Sequence, residues 1–414
     1  MIFFTTLLVY LIGIIALFTE NSTRASCYLV IFFCFAQIFR IFLSNKKIAG
    51  MELIFLVTLI FLFISPAFAI FYFHSLDVTD TLFFLVFFMD LIKKFSKNKY
   101  KILIKKTSYF IKWKNFFVYV VLLLWSAIVP FFLPQTNSFL GLFSFIVPTV
   151  IAFVYLEENF KQSNSIFFAV FLLILYFFSL SIYLTHHWSG HGRIVLAMWI
   201  LAPILIYISI LKKPIKVIYI IILFPLILYI LQYSRYTSNL SFEDVFIGSS
   251  GYHLQLTELT RKNEYPFNEK GWEAFFDQYK LFFFAWIPLD WWVAKPQQIS
   301  IYSTNIMFSK EDVSGWGLEF SQSLGFLGEQ FFLLGKYYFY GLMIALLTII
   351  AARKLVVKFS FGSIVPAIVF DLCLINYFWG GMGIFGSRAW FYIMPIITFL
   401  FLRFIIKIIN VRNF

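Results

Sequence analysis

Long apolar runs separated by short polar stretches recur along the whole chain. A helix that crosses the hydrocarbon core of a bilayer needs about 20 predominantly apolar residues. Runs near that length lie at 2–19, 26–43, 51–73, 78–92, 115–133, 138–156, 165–184, 193–211, 215–233, 330–352, 362–379 and 388–407. The pattern therefore predicts an all-α, polytopic membrane protein with about 12 transmembrane helices.

The basic residues indicate how these helices are oriented. Residues 93–114 contain nine lysines and no acidic residue. Because lysine and arginine accumulate on cytoplasmic loops, we expect this segment and both termini on the cytoplasmic side, and Arg353, Lys354 and Lys358 in another cytoplasmic loop. A nucleic-acid or anionic-lipid role for the lysine-rich segment is the alternative. The topological interpretation is favoured, so we expect no nucleic-acid partner.

Residues 234–329 form a long stretch richer in polar residues than the rest of the chain. They contain seven Lys/Arg and twelve Asp/Glu, and the topology places them on the external side. A structureless connection of this length is unusual in a compact protein. The run KGWEAFFDQYKLFFFAWIPLDWW has the aromatic content of a helix lying along a membrane surface. We predict a single membrane domain, 1–414, with a large external loop at 234–329 that contains interfacial helices.

Composition limits the classes of site that the chain can hold. With 61% hydrophobic and 13% charged residues, it lies outside the range of an ordinary soluble domain. The cysteines lie in apolar runs without metal-ligand spacing, and His186, His187 and His191 have no carboxylate or cysteine nearby in sequence. The absence of such partners favours an interfacial or sugar-binding role for these histidines over a metal site. We expect neither a metal nor another cofactor. Because no nucleotide-binding signature is present, a lipid-linked donor is favoured for any transfer reaction.

Three arginines fall at external membrane boundaries, against the positive-inside bias. They are Arg193 in HHWSGHGRIVL, Arg235 in LQYSRYTS and Arg388 in GGMGIFGSRAWFYIM. A guanidinium group suits phosphate oxygens, and Arg193 and Arg388 are predicted at helix starts after glycine, where free N–H groups bind anions. The arginines therefore predict a site for a lipid-linked phosphate or pyrophosphate. The alternative is that each one reaches the lipid headgroups separately.

The external loop also contains groups that can accept a proton. His253 and Glu258 lie close together in GYHLQLTELTRKNEYP. An imidazole or a carboxylate of this kind can deprotonate an acceptor hydroxyl. A solvated loop face is the alternative interpretation of the pair.

Two runs near the end of the loop resemble O-antigen and related oligosaccharide repeat-unit polymerases (Wzy-type). These runs are AWIPLDWWVAKPQQISIY and WGLEFSQSLGFLGEQFFLLGKYYFYGLM. The matching residues are Ile287, Pro288, Trp292, Lys295, Pro296, Gly328, Glu329 and Gly335. Val293 stands where the family has proline, and Leu289 where it often has arginine. The arginines at the external boundaries have counterparts in position, so the resemblance covers roughly residues 185–400.

The resemblance implies a multi-span glycosyltransferase of the lipid-donor type in the bacterial inner membrane. Its substrate would be an undecaprenyl-pyrophosphate-linked oligosaccharide, polymerised on the periplasmic face, with a chain-length regulator as a partner. Arg193, Arg235 and Arg388 would neutralise the leaving pyrophosphate. His253, Glu258 and Glu329 would be the candidate bases, and residues of the turn and loop would bind the glycan or anchor the loop. These last are His191, Trp291, Trp292 and Lys295.

Two alternatives remain beside the polymerase. An O-antigen ligase has a similar architecture and differs in its acceptor, and the I-P-x-x-x-W motif favours the polymerase. A flippase or transporter of lipid-linked oligosaccharide belongs to another class. Transporters usually show internal repeats and polar residues near the middle of the membrane, whereas the polar residues of this sequence concentrate in one external loop.

Overall fold

The computed structural model describes residues 113–132, 138–162, 165–187, 193–211, 271–285, 287, 291–300 and 324–412, with short pieces at 11, 36–38, 87–88 and 90–92. Of the described residues, 91% are helical and none lies in a β-strand. This part of the chain is therefore all-α, as predicted. Most of the predicted spans at 2–19, 26–43, 51–73 and 215–233 lie outside the described residues, as does most of the predicted external loop.

The helices follow each other in the order α1 to α8. Their bounds are α1 Trp113–Ile128, α2 Ser138–Gln162, α3 Ile166–His187, α4 Arg193–Leu211, α5 Gly271–Phe284, α6 Gly325–Leu334, α7 Tyr338–Lys358 and α8 Val365–Arg412. A short 3-10 helix, Val129–Phe132, follows α1, and another, Gly335–Tyr337, joins α6 to α7. Helix α5 confirms that the aromatic run in the predicted loop is helical.

Among the described residues, three helical stretches are long and apolar enough to cross a membrane, by length and composition. They are Ile166–Thr185, Gly325–Lys358 and Gly380–Asn410. Shorter apolar helices are found at Trp113–Ile128, Met198–Ile210 and Val365–Phe378. The described helices thus give the chain the character of a membrane protein, and the number of about 12 spans stays a prediction.

Helix α8 differs from the sequence-based expectation. Two separate spans with a glycine-rich turn at 380–387 were predicted. Helix α8 does consist of two helices joined at a kink at Gly381, with φ 79° and ψ −170°, but the residues that follow the kink are helical and form no turn. The run GGMGIFG provides close packing positions instead of a turn, as the site described below shows. Helix α6 differs as well, because it begins at Gly325 and so takes Glu329 out of the predicted loop and into the helix.

The described elements divide into two compact units. One contains α5, α6, the part of α7 up to Ile350 and Leu374–Ser387 of α8. The other contains α1 to α4, Ala351–Cys373 and Arg388–Phe414. The chain therefore contributes to each unit more than once, and two of its helices have residues in both.

Interhelical hydrogen bonds join α1, α3 and α4 in the second unit. The Tyr119 hydroxyl donates to the Leu172 carbonyl oxygen at 2.9 Å, and the hydroxyls of Ser126 and Ser179 lie 3.0 Å apart. In the same way, the Tyr176 hydroxyl donates to the Trp199 carbonyl oxygen at 2.9 Å. Lipid tails provide no hydrophobic driving force between helices, so small residues and polar contacts of this kind hold membrane helices together.

A buried ion pair joins α7 to α8 in the same unit. Arg353 Nε donates to Asp371 Oδ1 at 2.6 Å, and Arg353 Nη2 donates to Asp371 Oδ2 at 2.8 Å. The side chains are 2% and 0% exposed. The prediction that Arg353 lies in a cytoplasmic loop is therefore wrong. An acidic partner 18 residues further along the chain lets this arginine stay inside the packed helices instead.

Helix α2 provides an anion for the start of α8. The buried carboxylate of Glu157 accepts hydrogen bonds from the Ser363 hydroxyl and from the Ile364 N–H, the latter at 3.2 Å. Lys161, one turn further along α2, donates to the same carboxylate. A negative charge is favourable at the N-terminus of a helix, where backbone N–H groups lack partners within the helix.

Candidate functional site

A buried carboxylate lies where α6 meets the break in α8. Glu329 is only 1% exposed, and its Oε2 accepts a hydrogen bond from the Met382 N–H at 2.9 Å. The side-chain amide of Gln330 lies 3.4 Å from the same oxygen. The break frees the Met382 N–H from its helical partner, so that the glutamate takes the place that a carbonyl oxygen would occupy in an unbroken helix.

Glycine at position 381 allows the carboxylate to come this close. A Cβ at this position would lie 2.2 Å from Glu329 Oε2 and 2.5 Å from its carboxyl carbon. The backbone angles of Gly381, φ 79° and ψ −170°, also fall in a region that glycine alone adopts readily. Both the backbone conformation and the space beside it therefore require the absence of a side chain.

Helix α5 packs directly on the glycine run of α8. A Cβ at Gly386 would lie 2.2 Å from Phe282 Cα, and one at Gly383 would lie 2.7 Å from Gln278 Oε1. The amide of Gln278 in turn accepts from the Ile299 N–H and donates to the Gln297 carbonyl oxygen, each at 3.1 Å. Helix α5 thus joins the segment that follows it to the broken part of α8.

Four buried oxygen atoms around this junction have no hydrogen-bond partner among the described residues. They are Glu329 Oε1, Gln330 Oε1 and the hydroxyls of Tyr279 and Tyr377. Tyr279 packs against the buried core that includes Phe332 and Leu333 of α6, and the ring of Tyr377 lies 5.4 Å from that of Phe326 on the same helix. Burial, together with the charge of Glu329, raises the pKa of Tyr279, so this phenol remains a neutral hydrogen-bond donor. We call these four residues the Glu329 cluster.

Aromatic rings enclose the cluster. The ring of Tyr377 lies 5.9 Å from Phe88, 5.4 Å from Phe326 and 5.9 Å from Phe385, measured between ring centroids. An environment of this kind has a low dielectric constant, in which charges and hydrogen bonds interact more strongly than in water. Polar atoms left without partners are costly there, and their presence marks the cluster as a candidate site.

Lys295 fixes the chain after α5. Its ammonium group donates to the carbonyl oxygens of Ala285 at 2.6 Å and Ile287 at 2.8 Å, and it lies 6.0 Å from the centre of the Trp292 ring. Partial burial lowers the pKa of Lys295. Lys295 and Trp292 were predicted either to bind the glycan or to anchor the loop, and these contacts support anchoring. Trp291, at 80% exposure, is accessible to solvent.

Replacing Lys295 with methionine is expected to lower the free energy of unfolding by about 1 to 2 kcal/mol, because two carbonyl oxygens lose a charged donor. Thermal unfolding of the purified protein in detergent measures the loss. Lys280→Met is the matched control, since Lys280 is exposed and pairs with Asp277 on the same helix. An equal effect of the two changes would contradict the anchoring role of Lys295.

Arg193 is the first residue of α4, which confirms that it begins a helix as predicted. Arg388 does not lie at a helix start. Its helical segment begins at Gly380, about two turns earlier, and Arg388 interacts there with Cys373 and Tyr392. The N–H group freed by the break belongs to Met382 and binds Glu329, so anion binding by free N–H groups does not apply to Arg388.

The other predicted site residues lie outside the described residues, as does the Arg193 side chain. They are His191, Arg235, His253 and Glu258. A shared site of three arginines stays a prediction, because Arg235 and the Arg193 side chain lie outside the described residues. Among the residues that the structure describes, no group of three or more His, Cys, Asp or Glu side chains is arranged to hold a metal ion.

Sequence reasoning identified Glu329 and missed the residues that surround it. Tyr279, Gln330 and Tyr377 appeared as ordinary members of apolar helices, and Gly381 as part of a turn. Gln330, the polar residue next to Glu329 in the run GEQ, was the one feature of the sequence that indicated further polar side chains near Glu329. Comparisons with protein-family models, with curated proteins and with solved structures find no match for this chain.

Proposed function

We propose that this protein is a glycosyltransferase that polymerises lipid-linked oligosaccharide repeat units. It transfers a glycan from undecaprenyl pyrophosphate to the non-reducing end of another lipid-linked repeat unit. The proposal includes about 12 spans in the bacterial inner membrane, cytoplasmic termini and a periplasmic loop that begins at residue 234 and ends where α6 begins, at Gly325. No cofactor takes part, and the partners are the lipid-linked oligosaccharide, the bilayer and a chain-length regulator.

One observation carries the proposal. The two segments that resemble the polymerase motif belong to a single unit, which also contains the buried carboxylate of Glu329. Lys295 holds the first segment against the end of α5. Helix α5 packs in turn on the glycine run of α8, beside the break that binds Glu329. The motif residues thus connect a loop anchor to a carboxylate with one unpartnered oxygen.

This arrangement supports Glu329 among the three candidate bases. In the proposed reaction, the acceptor hydroxyl oxygen attacks the anomeric carbon, and its proton passes to a carboxylate or imidazole. The bond from that carbon to the pyrophosphate oxygen breaks, and the pyrophosphate leaves with the electron pair. Arg193, Arg235 and Arg388 neutralise the developing charge, as preorganised donors do in other transfer reactions.

Reconstitution tests the proposal. Purified protein in lipid vesicles, supplied with its lipid-linked repeat unit, is expected to give a ladder of products on a gel. Arg193→Ala is expected to reduce the rate by about 100-fold or more at an equal protein level. Arg412→Ala, at the C-terminal end of α8, is the matched control and should retain the ladder. Wild-type polymer from the Arg193 variant would show that this arginine only contacts headgroups.

The broken helix favours one second candidate, a transporter of lipid-linked oligosaccharide. Transporter sites commonly use discontinuous helices with polar groups at the break, and α8 is interrupted at Gly381 beside Glu329. The same vesicles distinguish the two functions. A transporter would move the substrate to the opposite leaflet and leave its size unchanged.

A further inference from the structure

Glu329 differs from two other buried carboxylates in how its charge is compensated. Glu157 has Lys161 beside it, and Asp371 has Arg353. The groups that contact Glu329 among the described residues are the Met382 N–H and the Gln330 amide. Neither group carries a net charge.

The neighbouring helices do not provide a positive charge either. Tyr279 on α5 and Tyr377 on α8, which pack against α6, are uncharged phenols. Within the described part of the unit, no lysine, arginine or histidine makes an ion pair with Glu329. An ionised carboxylate without a counter-charge costs several kcal/mol when it is buried among apolar side chains.

The atoms of the Glu329 cluster that lack partners are all oxygens. Glu329 Oε1, Gln330 Oε1 and the two phenol hydroxyls are donors of the type that a hard cation prefers, whereas nitrogen and sulfur select softer metals. A single carboxylate balances a single positive charge. The cluster therefore suits a monovalent cation better than a divalent one.

We propose that the Glu329 cluster binds one monovalent cation, a proton or a sodium ion, at the break in α8. The bound cation neutralises Glu329 and uses oxygens that have no partner among the described residues. Because this requirement follows from burial and charge alone, it holds whether the protein polymerises or transports its substrate. A change in occupancy would alter the contact between Glu329 and Met382, and thereby the junction of α6 with α8.

Thermal unfolding of the full-length protein in lipid nanodiscs tests for sodium. Sodium chloride is exchanged for choline chloride at constant ionic strength. If sodium is the ligand, the wild-type unfolding midpoint rises with sodium concentration and then follows the logarithmic dependence of a bound ligand. The Glu329→Gln midpoint stays constant. The control Glu157→Gln, which removes the charge of a glutamate that has a lysine partner, retains the wild-type response.

Infrared difference spectroscopy tests for the proton. If the proton is the ligand, wild-type protein shows the carbonyl band of a protonated carboxyl group, Glu329→Gln lacks that band, and sodium has no effect on the midpoint. Tyr377→Phe separates the two cases without changing the glutamate. It weakens sodium binding, because one oxygen ligand is lost, but it leaves the carbonyl band of a protonated Glu329 in place.

The result that overturns the proposal is an ionised Glu329 without sodium binding. Wild-type protein would then show no sodium response and no protonated-carboxyl band that Glu329→Gln removes. These measurements report occupancy and protonation and do not depend on product formation. A failure to form polymer in vesicles therefore leaves this proposal unaffected. A permanently protonated Glu329 would leave His253 and Glu258 as the candidate bases of the proposed transfer, because a protonated carboxyl group cannot accept the proton of the acceptor hydroxyl.

Discussion

Arg353→Ala is expected to lower the free energy of unfolding by about 3 to 5 kcal/mol. The variant leaves Asp371, which is 0% exposed, as a buried carboxylate without its bidentate partner. Much of the loss comes from that remaining charge, and the two hydrogen bonds at 2.6 and 2.8 Å contribute the rest. Thermal or denaturant unfolding in detergent measures the change.

Two further variants separate charge from packing at this pair. Arg353→Lys keeps the charge but loses the planar, two-pronged geometry, so an intermediate loss is expected. Replacing both residues, as Arg353→Met with Asp371→Leu, removes the buried charges together and is expected to recover most of the stability. If the double variant is as unstable as Arg353→Ala, the explanation by uncompensated charge is wrong.

Gly381→Ala is expected to destabilise the unit that contains the Glu329 cluster. The backbone conformation, with φ 79°, costs a residue with a side chain about 1 to 3 kcal/mol. The added methyl group would also lie 2.2 Å from Glu329 Oε2, so the carboxylate has to move, at a further cost of about 1 to 3 kcal/mol. The unfolding midpoint measures the combined effect.

The chain provides a matched control for this substitution. Gly362 has a similar φ of 85°, but no atom lies within 4 Å of the Cβ that would be added. Gly362→Ala therefore reports backbone strain alone, and its difference from Gly381→Ala gives the cost of displacing Glu329. In a second test, Glu329→Ala should remove that difference when it is combined with Gly381→Ala. Equal losses for the two glycine variants would show that Glu329 does not limit the space at position 381.

Hydropathy predicted the helices of the second unit closely. The apolar runs at 165–184 and 193–211 correspond to α3, Ile166–His187, and α4, Arg193–Leu211. Each run is bounded by polar residues, and each is close to the length that a bilayer requires. The helical character of the aromatic run around Phe275 was also predictable, because its apolar residues recur at helical spacing.

The same reasoning failed where a residue's role depends on a distant partner. A run of glycines can break a helix or allow another backbone to approach, and the sequence of GGMGIFG does not distinguish these roles. Gly386 allows the backbone of α5 to approach, and Gly381 both breaks the helix and leaves space for the Glu329 carboxylate. Both partners lie far away in sequence. Similarly, the position of Arg353 near lysines indicated a loop, but Asp371 makes its burial possible.

The candidate site could be predicted only in part, for the same reason. Glu329 and Lys295 were both identified through the resemblance of their segments to polymerase motifs. Tyr279 and Tyr377 could not be identified, because tyrosine in an apolar helix usually has a packing role. They become candidates only because their hydroxyls are buried near Glu329 without a partner in the described part of the chain.

The break in α8 also imposes an order on biosynthesis. Met382 follows Glu329 by 53 residues, whereas Asp371 follows Arg353 by only 18. A ribosome delivers the chain from its N-terminus, so the arginine meets its counter-charge soon after its own helix has been made. The glutamate obtains its backbone donor only after the first half of α8 has left the ribosome. The contact between α6 and α8 can therefore form only after residue 382 of α8 has been made. A chain truncated before Gly381 would leave the Glu329 carboxylate without this backbone donor.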